Sequence, residues 1–308
     1  MDVACLGLMV CDILVKPITK EILEKDSARV EFVKMCSGGD ALNVAMILHK
    51  LGVDAGIIGQ VGNDGFGRFL LDAAAEGGVD TRGVAVTDEY GTSTSVVMIH
   101  PDGERSFAYY GGATDMLHVN DVNFEIIRGA KALFVGSAFG LTALDGEGLT
   151  QILRKARAEG IATVLDVTGN PDADSMEMLR PALAYTDMFL PSYYEAKSMT
   201  GKDGAEEIAR ALMKAGVPLV VIKMGNRGCF ICSNAEQLFV PAFPVDAVDT
   251  TGAGDSFVSG FLTGYLHGWP LHKCGRFANA CGALCVLEAG ATTGVKGFDQ
   301  VMSLLGEP

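Results

Sequence analysis

Ala41-Leu42-Asn43-Val44-Ala45-Met46-Ile47-Leu48-His49-Lys50-Leu51, then Gly52, then Ala55-Gly56-Ile57-Ile58-Gly59-Gln60-Val61 set two periodicities side by side. In the first, Leu42, Ala45, Met46 and Leu48 recur at helical spacing and Gly52 supplies a stop. The second is a short run apolar on both faces, which reads as a buried strand. The same alternation extends outward in both directions. Strand-like Val3 to Gly7 precedes it. Strand-like Lys131 to Gly136, helix-like Gly148 to Glu159, strand-like Ile161 to Val167 and Asp187 to Leu190, helix-like Ala205 to Ala215 and strand-like Val217 to Lys223 follow. Strands separated by helices of ~10–15 residues imply βαβ units. The expected fold is α/β: a doubly wound, mainly parallel sheet flanked by helices.

Two stretches break that rhythm. Residues 12–36 carry strand-like Ile13-Leu14-Val15 and Arg29-Val30-Glu31-Phe32-Val33 around a charged middle. Within 91–113, Ser93 to Ile99 and Arg105 to Tyr110 flank a Pro101-Asp102-Gly103 turn. Both read as antiparallel hairpins. The whole chain, 1–308, is expected to be a single domain, with these strands forming a small antiparallel β lid where open α/β sheets bind ligands. The lid's exposed edges invite pairing with a second copy, so a homodimer is expected.

Composition narrows the function. With 24 Lys+Arg against 38 Asp+Glu the net charge is −14, which argues against nucleic acid as a partner. No run approaches ~18 strongly apolar residues, so no membrane span is expected; the longest uncharged run, Ser256 to His272, is diluted by Gly, Ser, Thr and Pro. The start of the chain shows no basic region followed by a long apolar stretch, and nothing marks export. Eight scattered Cys then fit reduced thiols and a cytoplasmic location. Cys229 and Cys232 have CxxC spacing but no second pair, and alternation makes them small apolar side chains of a strand. The five His show no metal-ligand spacing.

The chemistry concentrates in Asp249-Thr250-Thr251-Gly252-Ala253-Gly254-Asp255-Ser256-Phe257, leading into the helical pattern Val258, Phe261, Leu262, Tyr265. Two glycines at a helix start let backbone N–H groups converge on an anion, with the helix dipole adding to them, and phosphate is the natural guest. Asp255 beside it has two readings: a helix cap, or a base that takes a hydroxyl proton during phosphoryl transfer. Far upstream, Ser37-Gly38-Gly39-Asp40-Ala41-Leu42-Asn43 opens another helix, followed by Gly59-Gln60-Val61-Gly62-Asn63-Asp64-Gly65-Phe66-Gly67.

Those two clusters resemble the N-terminal (Gly38 to Leu70) and C-terminal (Asp249 to Leu262) signatures of the PfkB, or ribokinase-like, carbohydrate kinase family, and the resemblance covers essentially the whole chain. No GxxxxGK and no dinucleotide fingerprint competes. The resemblance implies that Asp255 is the catalytic base and that Gly252, Ala253 and Gly254 form the anion hole. It also implies that Asp12, Gly39, Asp40 and Asn43 hold the acceptor's hydroxyls, with Asp12 at the end of the first strand. Lys223, Gly225, Gly228 and Thr251 would border ATP, as would Asn279 on a helix over 277–287. Glu195 would act on Mg2+ through water. Asp249 with the carbonyls of the 290–294 turn matches a monovalent-cation site, K+ among its occupants.

Two departures bear on function. The family's Asn-x-x-Glu reads here as Ser192-Tyr193-Tyr194-Glu195. Where relatives acting on a sugar acid carry Arg, this chain has Gly111-Gly112 and Gly169-Asn170-Pro171, and no glutamate follows Leu133 to Ser137 as in ribokinases. An anionic acceptor and ribose are therefore disfavoured. The expected activity is ATP-dependent phosphorylation of a hydroxyl on a neutral sugar. The rival within the class is a nucleoside kinase, with Phe107, Tyr109 or Tyr110 stacking on a base. The rival outside it is a catalytically silent sugar-binding regulator. Strand alternation puts Tyr109 and Tyr110 on opposite faces, so at most one looks into the site.

Overall fold

A computed structural model describes residues 1–306. Its strands, in chain order, are β1 (Val3–Leu6), β2 (Val10–Lys16), β3 (Phe32–Gly38), β4 (Ala55–Gly62), β5 (Asp80–Thr87), β6 (Thr94–Ile99), β7 (Arg105–Tyr110), β8 (Ala132–Ala138), β9 (Ala162–Val167), β10 (Met188–Phe189), β11 (Leu219–Lys223), β12 (Cys229–Ser233) and β13 (Gln237–Val240). Nine make the main sheet in the order β13-β12-β11-β10-β9-β8-β1-β4-β5. All its pairings are parallel except β11 with β12 and β12 with β13.

Both faces of the sheet are covered, and β1 shows why its run is apolar throughout. Val3 and Cys5 enter one core with Leu42, Phe257 and Phe261; Ala4 and Leu6 enter the other with Leu149, Ile152 and Leu212. The uncharged run from Ser256 is the Ala253–Leu266 helix, buried continuously from Ser256 to Gly264. It packs between the Asp40–Lys50 and Leu271–Cys285 helices. A Cβ on Gly260 would stand 2.9 Å from the Ala278 Cα, so this close approach requires glycine. No described helix is long and apolar enough to cross a membrane.

The lid is a four-stranded sheet in the order β3-β2-β6-β7. Two antiparallel hairpins, β2/β3 and β6/β7, meet along a parallel seam between β2 and β6. The structure corrects four details of the sequence reading. The second lid strand runs Phe32–Gly38 rather than 29–33, because it pairs along the whole of β2, from Val10 opposite Gly38 to Lys16 opposite Phe32. Asp12 is not at the end of the first strand: β1 stops at Leu6, and Asp12 is the third residue of lid strand β2. The helix bearing Asn279 begins six positions before 277, at Leu271. Strand β5, opening with polar Asp80-Thr81-Arg82 at the sheet edge and holding only the short apolar run Val84-Ala85-Val86, was not anticipated.

Candidate active site

The carboxyl ends of β9 and β11, the first turns of the Asp40–Lys50 and Ala253–Leu266 helices, and the start of the Tyr193–Thr200 helix meet at one end of the sheet. They enclose a cleft of about 700 Å³ lined by Asp40, Asp166, Ser192, Glu195, Lys223, Gly225, Gly254 and Asp255, among others. Two glycines shape its rim. Gly39 has φ +99°, and a Cβ there would lie 2.2 Å from the Leu8 carbonyl oxygen. Gly252 has φ +75°, and its Cβ would lie 2.3 Å from the Ala291 carbonyl oxygen.

The Asn43 Nδ2 donates to Asp255 Oδ2 at 2.8 Å, joining the two glycine signatures through their side chains. Burial raises the Asp255 carboxyl, while the Asn43 hydrogen bond and the Lys223 charge pull it down. The Asp40 carboxyl is also pushed well up, first by burial and then by the charges of Asp255 and Asp166. Asn43 Oδ1 is buried without a partner.

Lys223 forms an ion pair with Asp166. Burial opposes the ammonium, but the carboxylates of Asp166, Glu195 and Asp255 outweigh it and hold Lys223 above the usual lysine range. Burial pushes the Asp166 carboxyl up to about 7 against that pull. Glu195 Oε2 accepts from the Ser192 N–H at 2.7 Å, and Ser192 Oγ accepts from the Glu195 N–H at 3.3 Å. This reciprocal capping box explains how Ser replaces the family's Asn: the shorter side chain starts the helix and still fixes Glu195.

Above Lys223, a second cavity of about 750 Å³ shares Lys223, Gly225 and Gly254 with the first and runs between Phe243, Pro244, Val245, Ala247, Phe257, Ala283 and Val286. One cleft is thus charged and the adjoining one apolar. Gly228 and Asn279 line the apolar part. Gly228, at φ +107°, has no room for a side chain, since a Cβ would meet the Val240 carbonyl oxygen at 2.0 Å. Asn279 Nδ2 donates to the Val240 and Pro241 carbonyls at 3.0 and 3.1 Å, so its amide nitrogen serves the wall of the slot.

Residues 1–296 match the model for the pfkB family carbohydrate kinase. This chain belongs to that family. The kinase is 30% identical over 275 residues to fructokinase-2 of Oryza sativa subsp. japonica, covering 84% of this chain and 82% of that one. Its fold superposes on Arabidopsis thaliana ribokinase complexed with ribose and ATP at a TM-score of 0.85 and 25% identity, over 99% of both chains. It superposes on an E. coli chain solved in complex with ATP and Mg2+ at a TM-score of 0.87 and 26% identity, again over 99% of both. The activity is that of a sugar kinase, a phosphotransferase with an alcohol acceptor.

Within the kinase, not every anticipated residue reaches the cleft. Thr251 turns its hydroxyl to Asp249 Oδ1 at 2.7 Å. The Ala253 N–H is spent on the Thr250 carbonyl at 3.2 Å, whereas helix geometry leaves those of Gly254 and Asp255 without intrahelical acceptors. Asp12 stands against Gly38, where a Cβ would come within 2.2 Å of its Oδ2, and burial pushes its carboxyl up to about 6. Partial burial pushes the Tyr109 phenol up to about 12, with the charges of Asp115 and Asp40 adding to it. The Tyr110 ring lies against Gly91 and Gly112 instead, as the alternation requires.

Sequence reasoning missed Asp166 and Arg105. A lone carboxylate inside the apolar strand Ile161 to Val167 was a usable signal for the first. For Arg105, a cation just after a Pro-Asp-Gly turn looks like any solvated charge, yet it donates to Thr251 Oγ1 at 2.7 Å and pairs with Asp249 at 3.1 Å.

Proposed function

We propose that this kinase transfers the γ-phosphoryl group of ATP to a hydroxyl of a neutral sugar, with Asp255 as the base. The observation that carries the reading is the Asp255 carboxylate at the mouth of a glycine-started helix, fixed by Asn43 and facing Lys223. The apolar slot suits an adenine, and Lys223 with the open N–H groups of Gly254 and Asp255 suits the phosphates. Asn43 holds Asp255 through its Nδ2 and keeps the carboxylate in place for the acceptor's hydroxyl. The carboxylate oxygens of Glu195 and Asp166 in the same cleft fit a hard divalent cation, with Glu195 acting through water. When bound, Mg2+ neutralises charge on the β- and γ-phosphate oxygens. The lid residues Asp12 and Tyr109 close over the acceptor and exclude water.

A neutral acceptor follows from charge. Asp12, Asp40 and Asp255 would repel a carboxylate, and Gly111-Gly112 and Gly169-Asn170-Pro171 supply no guanidinium to offset that. The kinship with a fructokinase puts ketohexoses first in the test. Purified protein with ATP and Mg2+ is expected to phosphorylate a neutral hexose. Turnover confined to nucleosides would favour the nucleoside-kinase reading, and sugar binding without any turnover would favour the silent regulator.

We also place the kinase in the reducing cytoplasm, since all eight cysteines are free thiols and seven are buried. We assign its association to the lid, whose Phe32, Val33, Met35 and Phe107 are exposed. Sedimentation equilibrium should then give twice the 32.4 kDa chain mass; a monomer at micromolar concentration would overturn that assignment.

A further inference from the structure

Asp249 and the 290–294 turn, where the family pattern places a monovalent cation, do not fit one here. Such an ion replaces its water shell with several free oxygens. Asp249 Oδ1 accepts from the Thr251 N–H at 3.0 Å, the Thr251 hydroxyl at 2.7 Å and Arg105 at 3.1 Å, and its Oδ2 accepts from the Gly290 N–H at 3.0 Å. The Gly290 carbonyl accepts from Thr293 Oγ1 at 3.0 Å and that of Gly294 from Gln300 Nε2 at 3.1 Å. The Thr292 carbonyl accepts from Lys50 Nζ at 2.5 Å. The Cys285 thiol lies 3.3 Å from the Thr251 carbonyl and 3.5 Å from that of Ala291.

We propose that Lys50 and Arg105 are this kinase's built-in substitute for a monovalent cation. Both bring positive charge to the back of the phosphate loop. That loop touches the turn directly, since Gly252 has no room for a Cβ beside Ala291. The ammonium of Lys50 neutralises the carbonyl facing it and fixes the turn on which Gly252 rests. Lys50 is the last residue of the helix that begins at Asp40, so one rigid element spans from the acceptor end to the rear of the anion hole. Arg105 comes from lid strand β7 and neutralises a carboxylate that is only 8% exposed. Lys50 and Arg105 are positioning residues.

The test compares K+ with tetramethylammonium at fixed ionic strength, using whichever acceptor turns over, and adds melting curves and thallium-205 NMR of the protein alone. The thallium and melting readouts need neither acceptor nor nucleotide, so they stand apart from the proposed reaction. The wild type is expected to keep kcat/KM and Tm within about twofold and about one degree across the two cations, and to show no bound thallium signal. Lys50→Met and Arg105→Gln should each lose at least tenfold in kcat/KM in tetramethylammonium and recover with K+, while Lys50→Arg should need no K+. Tenfold or greater activation of the wild type by K+, or a bound thallium signal in it, overturns the proposal. A folded Lys50→Met whose loss K+ does not repair overturns it as well.

Discussion

Asp255→Asn is expected to lower turnover by ~10²–10⁴-fold or more while leaving nucleotide affinity nearly unchanged. The amide keeps the volume and sits on the same first turn, so the N–H groups around the phosphates are undisturbed. It has no lone pair basic enough to take the acceptor's proton as the γ-phosphoryl group departs. Phosphoryl transfer depends mostly on positioning and charge, and Asp255 is the carboxylate that Asn43 fixes at the start of the phosphate-facing helix. Initial rates combined with nucleotide titration by calorimetry check both halves. Unchanged turnover would remove Asp255 from the base role, and lost nucleotide binding would mean that it serves the phosphate loop instead.

The second large effect belongs to Lys223→Met. Its ammonium is the shared counter-charge of Asp166, Glu195 and Asp255. Removing one partner of a buried pair strands the other, at a cost of about 3–5 kcal/mol in stability. Losing the ammonium also withdraws the charge that lowers Asp255, so the base gains a proton at higher pH. Turnover should fall by ~10²–10³-fold, as when a preorganised phosphate-facing donor is removed, and the acid limb of the pH profile should move upward. Adding Asp166→Asn to Lys223→Met removes one stranded carboxylate: melting temperature should recover in part, and turnover should not. Recovery of both would reduce Lys223 to a structural ion pair.

The contrast between what could and could not be read follows from burial. The strands β1, β4, β8, β9 and β11 lie between two cores, so their sequences are apolar on both faces and stand out against helical patterns. The lid is solvated on much of its surface, and Phe32–Gly38 shows no clean alternation, so its boundaries were displaced although its existence was legible. At the site, Gly39, Gly252 and Gly228 announce themselves because backbone conformation leaves no room for a side chain. The contacts Arg105 to Asp249 and Lys50 to Thr292 join residues 144 and 242 positions apart, and nothing in either neighbourhood encodes the partner. Asn43 and Asp255, 212 positions apart, were expected in one site only because each sits in a signature of one family, and their direct hydrogen bond was not anticipated.

Acid should inactivate the kinase through the same carboxyl pair. Both carboxyls are raised by burial, so as pH falls they take up protons at a higher pH than exposed aspartates do. Activity is present above the Asp255 titration and lost below it. Carboxyl carbon-13 NMR of aspartate-labelled protein, with Asp255 assigned through Asp255→Asn, measures this directly. The account predicts an ionised Asp255 at neutral pH whose titration coincides with the acid limb of kcat/KM. An Asp255 that is protonated at neutral pH, where the enzyme turns over, would contradict it.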